Sequence, residues 1–235
     1  MKLIKDIWLS DIFNYDVYRL NNLNEIDSVF ELPKTKSFIW TKIPTERVDL
    51  VDLLSSMNFR VIDVNVTFEI NKIYVKKEQN IHSIVTEFSK EDETSILKIA
   101  ESSFVYSRFH LDQNISNSLA DRIKKMWIKN YIDKKRGVRL LVIKYKNEHA
   151  GFLAEIESKN ENKSVGVIDL ISIDKNFQGK GLGKSLVDYW INDCTDKYDI
   201  LRVGTQIANV PSMRLYESCG FQISNSLYIM HFHIK

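Results

Sequence analysis

Gly179, Gly181 and Gly183 stand at alternate positions after Gln178, with Lys180 and Leu182 between them and Lys184 behind. Glycines let consecutive backbone N–H groups turn toward one concavity, and a helix starting there adds partial positive charge. A pyrophosphate is the natural guest of such a cradle. An ordinary glycine-rich strand-to-helix turn is the other reading open to this stretch by itself. Two related motifs are excluded. A dinucleotide fingerprint wants G-x-G-x-x-G, and a P-loop wants a first glycine where this chain has Gln178. Elsewhere, His231 and His233 share one face of the last strand. They would bind metal only with further ligands that the sequence does not announce, so no metal is expected.

The elements around the cradle follow from periodicity. Residues 165–173 are an almost uncharged apolar run, a strand that ends at Asp174. A helix begins at Lys184, carrying Leu186, Val187, Trp190 and Ile191 on its apolar face. A strand is expected at 200–206, then a short helix from Pro211 to Cys219 closed by Gly220, then two strand segments around Asn225. Upstream, 81–88 reads as a strand, helices are expected from Asp92 and over 116–133, and 138–144 with 150–156 forms a hairpin. Before that lies a small mixed unit. It has a strand at 37–41, a helix ending near Asn58, and an alternating strand at 59–70 with Val61, Asp63, Asn65 and Thr67 on one side. The polar run 76–80 sets the boundary between a domain over 1–76 and one over 77–235. Residues 54–61 also echo 216–223, each ending a helix with Asn or Gly, then Phe, then a strand. A worn half of a duplicated fold would explain this, and so would coincidence.

With 44% hydrophobic and 27% charged residues, the chain has the composition of a soluble globular protein. Its 33 Lys+Arg against 31 Asp+Glu give +2, too balanced for a nucleic-acid or membrane surface. The first residues carry no apolar h-region, and no run approaches a membrane span. Cys194 and Cys219 have no metal spacing and fit a reduced, cytoplasmic setting.

Gln178-x-x-Gly181-x-Gly183 resembles the acetyl-coenzyme A pyrophosphate loop of the GNAT superfamily of N-acyltransferases, and the element order over 81–235 matches that fold. The second motif, Asn209 to Tyr216 with Pro211-Ser212 inside it and Gly220-Phe221 after it, is similar to the superfamily's Asn-x-x-Ala-x-x-x-Tyr. The resemblance implies an α+β fold whose mixed sheet has splayed middle strands, with a smaller α/β unit in front. It implies acetyl-coenzyme A as acyl donor, held by the backbone of Leu170, Ile171, Ser172 and Ile173, by residues 178–184, and by Asn209 and Ser212. It also implies Tyr216 as the acid that protonates the leaving thiolate. That chemistry is sound, since thiols have a pKa of ~8.5 and phenols of ~10. The stretch 104–112, with Tyr106, Arg108 and His110, looks like the TDP-fucosamine acetyltransferase group. This implies a nucleotide-linked amino sugar as acceptor, bound by those three residues, with Asp63 as the base that deprotonates its amine. Asn58 replaces that group's glycine, and a solvent-facing carboxylate is the alternative for Asp63. A protein, peptide or polyamine acceptor, or a non-catalytic acyl-coenzyme A sensor, are the other functions in view. A homodimer is compatible with all of them.

Overall fold

A computed structural model describes residues 1–21, 31–71 and 83–235. The elements in chain order are β1 (Lys2–Lys5), α1 (Ile7–Phe13), β2 (Asp16–Asn21), β3 (Ser37–Pro44), α2 (Val48–Ser56), β4 (Arg60–Asn71) and β5 (Ser83–Glu87). There follow α3 (Glu93–Ser102), α4 (Asn117–Ile132), β6 (Arg139–Tyr145), β7 (Glu148–Asn160), β8 (Lys163–Ile173), α5 (Leu182–Cys194), β9 (Ile200–Gln206), α6 (Val210–Ser218) and β10 (Gln222–Ile234). Polar side chains start three of the helices: Asp6, Ser116 and Asn209 accept from Leu9, Leu119 and Ser212 N–H.

The ten strands of the described residues join one mixed sheet, in the order β1-β2-β3-β10-β4-β9-β8-β7-β6-β5. Strand alternation sorts the two faces. On one face, Val66, Phe68 and Val203 pack under α5 and α6, and Ile39, Ile43 and Met230 pack under α2. On the other, Val142, Phe152 and Leu170 pack under α3 and α4, and Val17 and Phe38 under α1 and α4. Asp63, Asn65, Trp40, Lys42 and His231 therefore look toward the α1 and α4 side. No helix of the described residues is long and apolar enough to cross a membrane.

Two sequence expectations change. The two final strand segments are one strand, β10, which continues through Asn225 with a bulge at Ser224, where the register against β4 slips between Ile223 and Asn225. The elements β1, α1 and β2 were not anticipated, although Leu9, Ile12 and Phe13 form a helical apolar stripe behind the Asp6 cap. The expected boundary at residue 76 lies outside the described residues, as do Ile81 and His82. Strands from its two sides share the sheet, with β4 between β10 and β9.

The echo between 54–61 and 216–223 has a structural counterpart. The units β3-α2-β4 and β9-α6-β10 interleave as β3-β10-β4-β9. Both helices end on a residue with positive φ, Asn58 at 67° and Gly220 at 96°. Both ends close alike: Phe59 N–H donates to Leu54 O at 3.0 Å, and Phe221 N–H donates to Tyr216 O at 3.1 Å. Leu54 thus stands where the second unit has Tyr216. A Cβ on Gly220 would meet nothing within 4 Å, so only backbone conformation resists a side chain there. We expect Asn58→Ala and Gly220→Ala each to lose about 1 kcal/mol in urea unfolding, and Asn58→Gly to lose nothing.

Candidate active site

The site begins where two adjacent strands part. β8 and β9 pair in parallel from Val165 and Ile200 to Ile168 and Val203, and no pairing between them continues beyond. β8 runs on to Ile173 and β9 to Gln206, each held on its outer side by β7 and β4. Leu170, Ile171, Ser172 and Ile173 therefore present a backbone edge to a gap inside the sheet. Their side chains belong to the cores: Leu170 is buried on the α3 and α4 face, and Ile171 and Ile173 pack on the α5 face.

The parting coincides with a bulge. The register of β8 against β7 slips at Ala154 and Glu155, leaving Asp169 out of step. Its carboxylate accepts from Trp127 Nε1 at 2.9 Å, Tyr131 Oη at 2.7 Å, and Arg136 Nε and Nη2 at 2.7 and 3.0 Å. Burial by itself would raise the Asp169 pKa, but the bonds from Arg136 and Tyr131 outweigh it and hold the group below the ordinary carboxylate range. The bulge is thereby fastened to α4.

At the far end of β8, Gln178 Nε2 donates to Ile173 O at 2.9 Å and closes the turn. Gly179 and Gly181 have φ of 75° and 76°, and a Cβ on either would meet nothing within 4 Å. Gly181 caps α5 without a side chain, so the first-turn N–H groups are left for an anion. The cradle fits a diphosphate. Lys180 Nζ bonds Asn176 O at 2.6 Å, and Lys184 pairs with Asp188 at 2.6 Å. Leu182 is buried under the cradle. Gly183 abuts α6, since a Cβ there would lie 3.3 Å from Leu215 Cδ2, beside Tyr216. Asn209 Oδ1 caps α6 at Ser212 N–H. Tyr216 is 2% exposed between Phe68 and Phe221, with Ser212 one turn earlier on the same helix. Burial pushes the phenol well above its ordinary pKa, so it keeps its proton at neutral pH.

On the α1 and α4 side the gap opens toward a group of cations. Arg108, in the α3–α4 connection, lies 3.9 Å over the Trp40 ring, and Arg19 lies 5.1 Å from the same ring. Lys42 donates to Asn65 Oδ1 at 3.2 Å. Lys124 is buried on α4 against the rings of Phe104 and Trp127. Among the described residues none of these four makes an ion pair. Burial pushes Lys42 and Lys124 down to about 8 and Arg108 down to about 9; neighbouring cations add to this at Lys42, while Asp6 and Asp169 partly oppose it at Arg108 and Lys124. Asp63 is 7% exposed, with Oδ2 lacking a partner among the described residues, and burial raises its pKa.

The sequence-predicted acceptor residues fare differently. Arg108 faces this group, while Tyr106 is exposed. His110 is engaged within the chain, its two ring nitrogens bonding Ser107 Oγ at 2.6 Å and Asp121 Oδ1 at 3.0 Å. Lys42, Trp40, Arg19, Lys124 and Asp112 were missed. A signal existed for two of them: Lys42 is the one charged residue of β3, and Lys124 follows Ile123 on the apolar face of α4. His231 Nδ1 and His233 Nε2 both lie 2.7 Å from Asp112 Oδ2. The three could gather around a metal ion, but two contacts of this length to one oxygen are hydrogen bonds.

A family model described as "Acetyltransferase (GNAT) family" matches residues 97–221. The chain is 30% identical over 141 residues to the spore coat polysaccharide biosynthesis protein SpsD of Bacillus subtilis, covering 60% of this chain and 47% of that one. It is 35% identical over 79 residues to a probable spermine N(1)-acetyltransferase of Bacillus subtilis subsp. natto, covering 33% and 51%. The chain thus spans about half the length of the curated relatives it matches. Among solved structures, a GCN5-related N-acetyltransferase from Sphaerobacter thermophilus superposes with a TM-score of 0.60 at 11% identity, over 86% of this chain and 61% of that one.

The fastening of Asp169 has a pH signature. A carboxyl whose folded pKa is depressed stabilises the fold above its unfolded pKa, and this contribution is lost as pH falls through the folded value. We expect Asp169→Asn to cost about 2 kcal/mol at pH 7, with the gap from wild type closing below about pH 4, as measured by urea unfolding across pH.

Proposed function

Because the chain belongs to the acetyltransferase (GNAT) family, we propose that it is an N-acetyltransferase whose acceptor is the amine of a nucleotide-activated (dTDP or UDP) amino-deoxy sugar, used for surface polysaccharide or glycan synthesis. The observation that carries this reading is the charge of the acceptor side. Arg19, Lys42, Arg108 and Lys124 face it without ion pairs among the described residues, and Asp63 stands among them. At about 8 Å and an effective dielectric of about 20, each like charge costs an incoming cation about 2 kcal/mol. A polyamine would meet several such charges, whereas a diphosphate would be drawn by them. The arginine fork suits phosphate oxygens in particular. The likeness to a polysaccharide biosynthesis protein points the same way, and the likeness to a spermine acetyltransferase keeps the polyamine as the competing reading.

Acetyl-coenzyme A, when bound, supplies the acetyl group as a thioester. The free edge of Leu170 to Ile173 would bond its amide arm as a further strand, with Asn209 and Ser212 alongside. Gln178, Gly179, Lys180, Gly181, Leu182, Gly183 and Lys184 would form the diphosphate cradle. Asp63 Oδ2 takes the proton from the acceptor ammonium, directly or through water. Tyr216 Oη keeps the proton that the departing sulfur needs. The segment before residue 76 would then supply much of the acceptor side through Arg19, Trp40, Lys42 and Asp63. Cys194 and Cys219 are buried and outside any disulfide, which accords with a cytoplasmic place of action.

Two measurements test this. In a thiol-release assay, dTDP- and UDP-linked 4-amino-4,6-dideoxy sugars should exceed spermidine and a lysine peptide in kcat/KM by about a hundredfold or more, the range that a buried polar or ionic mismatch commands. A spermidine preference would overturn the reading. Tyr216→Phe should lower kcat by about a hundredfold with acetyl-coenzyme A affinity nearly unchanged. Wild-type binding of coenzyme A without turnover on any acceptor would favour the sensor instead.

A further inference from the structure

Buried polar atoms in folded proteins have partners, so a group of them lacking one marks a place built for a guest. Besides Asp63 Oδ2, the atoms Trp40 Nε1, Arg108 Nη1 and His231 Nε2 are buried with no partner among the described residues. They belong to one neighbourhood. Trp40 and His231 are directly opposed across β3 and β10, Arg108 stacks on Trp40 at 3.9 Å, and Asp63 opposes Ile229, two residues before His231 on the same face.

Their hydrogen-bonding roles can be assigned. An ionised carboxylate only accepts, so both N–H groups pointing at Asp112 Oδ2 are donors: His231 Nδ1 and His233 Nε2. His231 is thereby fixed in the tautomer whose Nε2 is a lone pair. Burial pushes its pKa down to about 4, which keeps the ring neutral at physiological pH. The Phe38 ring, edge-on to His231 and stacked on His233, holds both imidazoles in place. Indole and guanidinium only donate.

We infer that Trp40 Nε1 and His231 Nε2 are acceptor-binding atoms, Trp40 donating beside Arg108 to an oxygen of the acceptor, and His231 accepting from a hydroxyl or N–H of the same molecule. The inference rests on the reading of the α1 and α4 side as the acceptor side. It narrows the acceptor class to molecules that carry an anionic or carbonyl oxygen within a few ångströms of a hydrogen-bond donor other than the amine. A sugar with a free hydroxyl between its amine and its phosphate meets that description, and an unsubstituted polyamine does not. Asp112 is a positioning residue that sets the imidazole tautomer.

Trp40→Phe keeps an aromatic platform for Arg108 and removes one donor, and His231→Phe keeps a ring and removes one acceptor. With whichever nucleotide-linked sugar or peptide acceptor the wild-type enzyme turns over best, each substitution should raise acceptor KM by about tenfold, the usual consequence of one lost buried hydrogen bond. The KM for acetyl-coenzyme A should stay within twofold. If His231→Phe fails to fold, Trp40→Phe decides alone. Unchanged acceptor KM in a folded variant, with only a lower melting temperature, would mean a structural role and overturn the inference. Wild-type turnover on the lysine peptide but not on nucleotide-linked amino sugars would instead defeat the substrate reading alone, leaving the KM comparison to be made on that peptide, whereas turnover on spermidine alone, which has no oxygen for Trp40, would overturn both.

Discussion

The structure depends on the separation of two neighbouring strands in the middle of a continuous sheet. A parallel pair normally continues until one strand ends, because each abandoned N–H and C=O is costly away from water. Here pairing stops at Ile168 and Val203 while both strands continue. The bulge at Asp169 turns β8 away, and the carboxylate is bound to α4 through Trp127, Tyr131 and Arg136. A buried charge with four donors is difficult to move, so the gap is a fixed feature and not a fluctuation. The glycine cradle, the buried phenol on α6 and the cationic side of the sheet all take their positions relative to that gap.

The second organising feature is the interleaving of β3-α2-β4 with β9-α6-β10. Each unit lends a strand to the other's neighbourhood, so β4 lies against β9 and β10 lies against β3. One unit carries Tyr216 on its helix, and the other carries Leu54 at the matching place and Asp63 on its strand. The two ends of the proposed proton path thus come from two substructures of like topology. The N-terminal segment also brings Arg19, Trp40 and Lys42 to the side where Arg108 and Lys124 arrive from the α3–α4 region. Positive charge outweighs negative there, and under the proposed function an anionic guest would offset the cost of burying these cations.

Much of this was legible in the sequence wherever function lies in the backbone. Glycine spacing, the run 165–173 and the Asn209–Tyr216 interval are one-dimensional signals, and the elements they predict are present with end shifts of a residue or two. In sequence Ser224 and Asn225 look like a turn that divides the last strand, whereas a bulge absorbs them without ending the pairing with β4. The proposed acceptor side was least legible. Trp40, Arg108 and His231 lie far apart in sequence, and only pairing of β3 with β10 and folding back of the α3–α4 connection unite them. His110 stands two residues from Arg108 and shares its sequence signal, yet its Nδ1 bonds Ser107 and its Nε2 bonds Asp121. Sequence spacing shows which residue types are near in the chain, but not which of them the fold has already satisfied.

Amide hydrogen exchange with and without acetyl-coenzyme A tests most directly whether the gap between β8 and β9 receives the acyl donor. We expect slowed exchange at residues 170–173 and at the amides of 179–185, with little change in β1, β2 and β5. Protection confined to other strands, or none at 170–173 in the presence of saturating ligand, would contradict it.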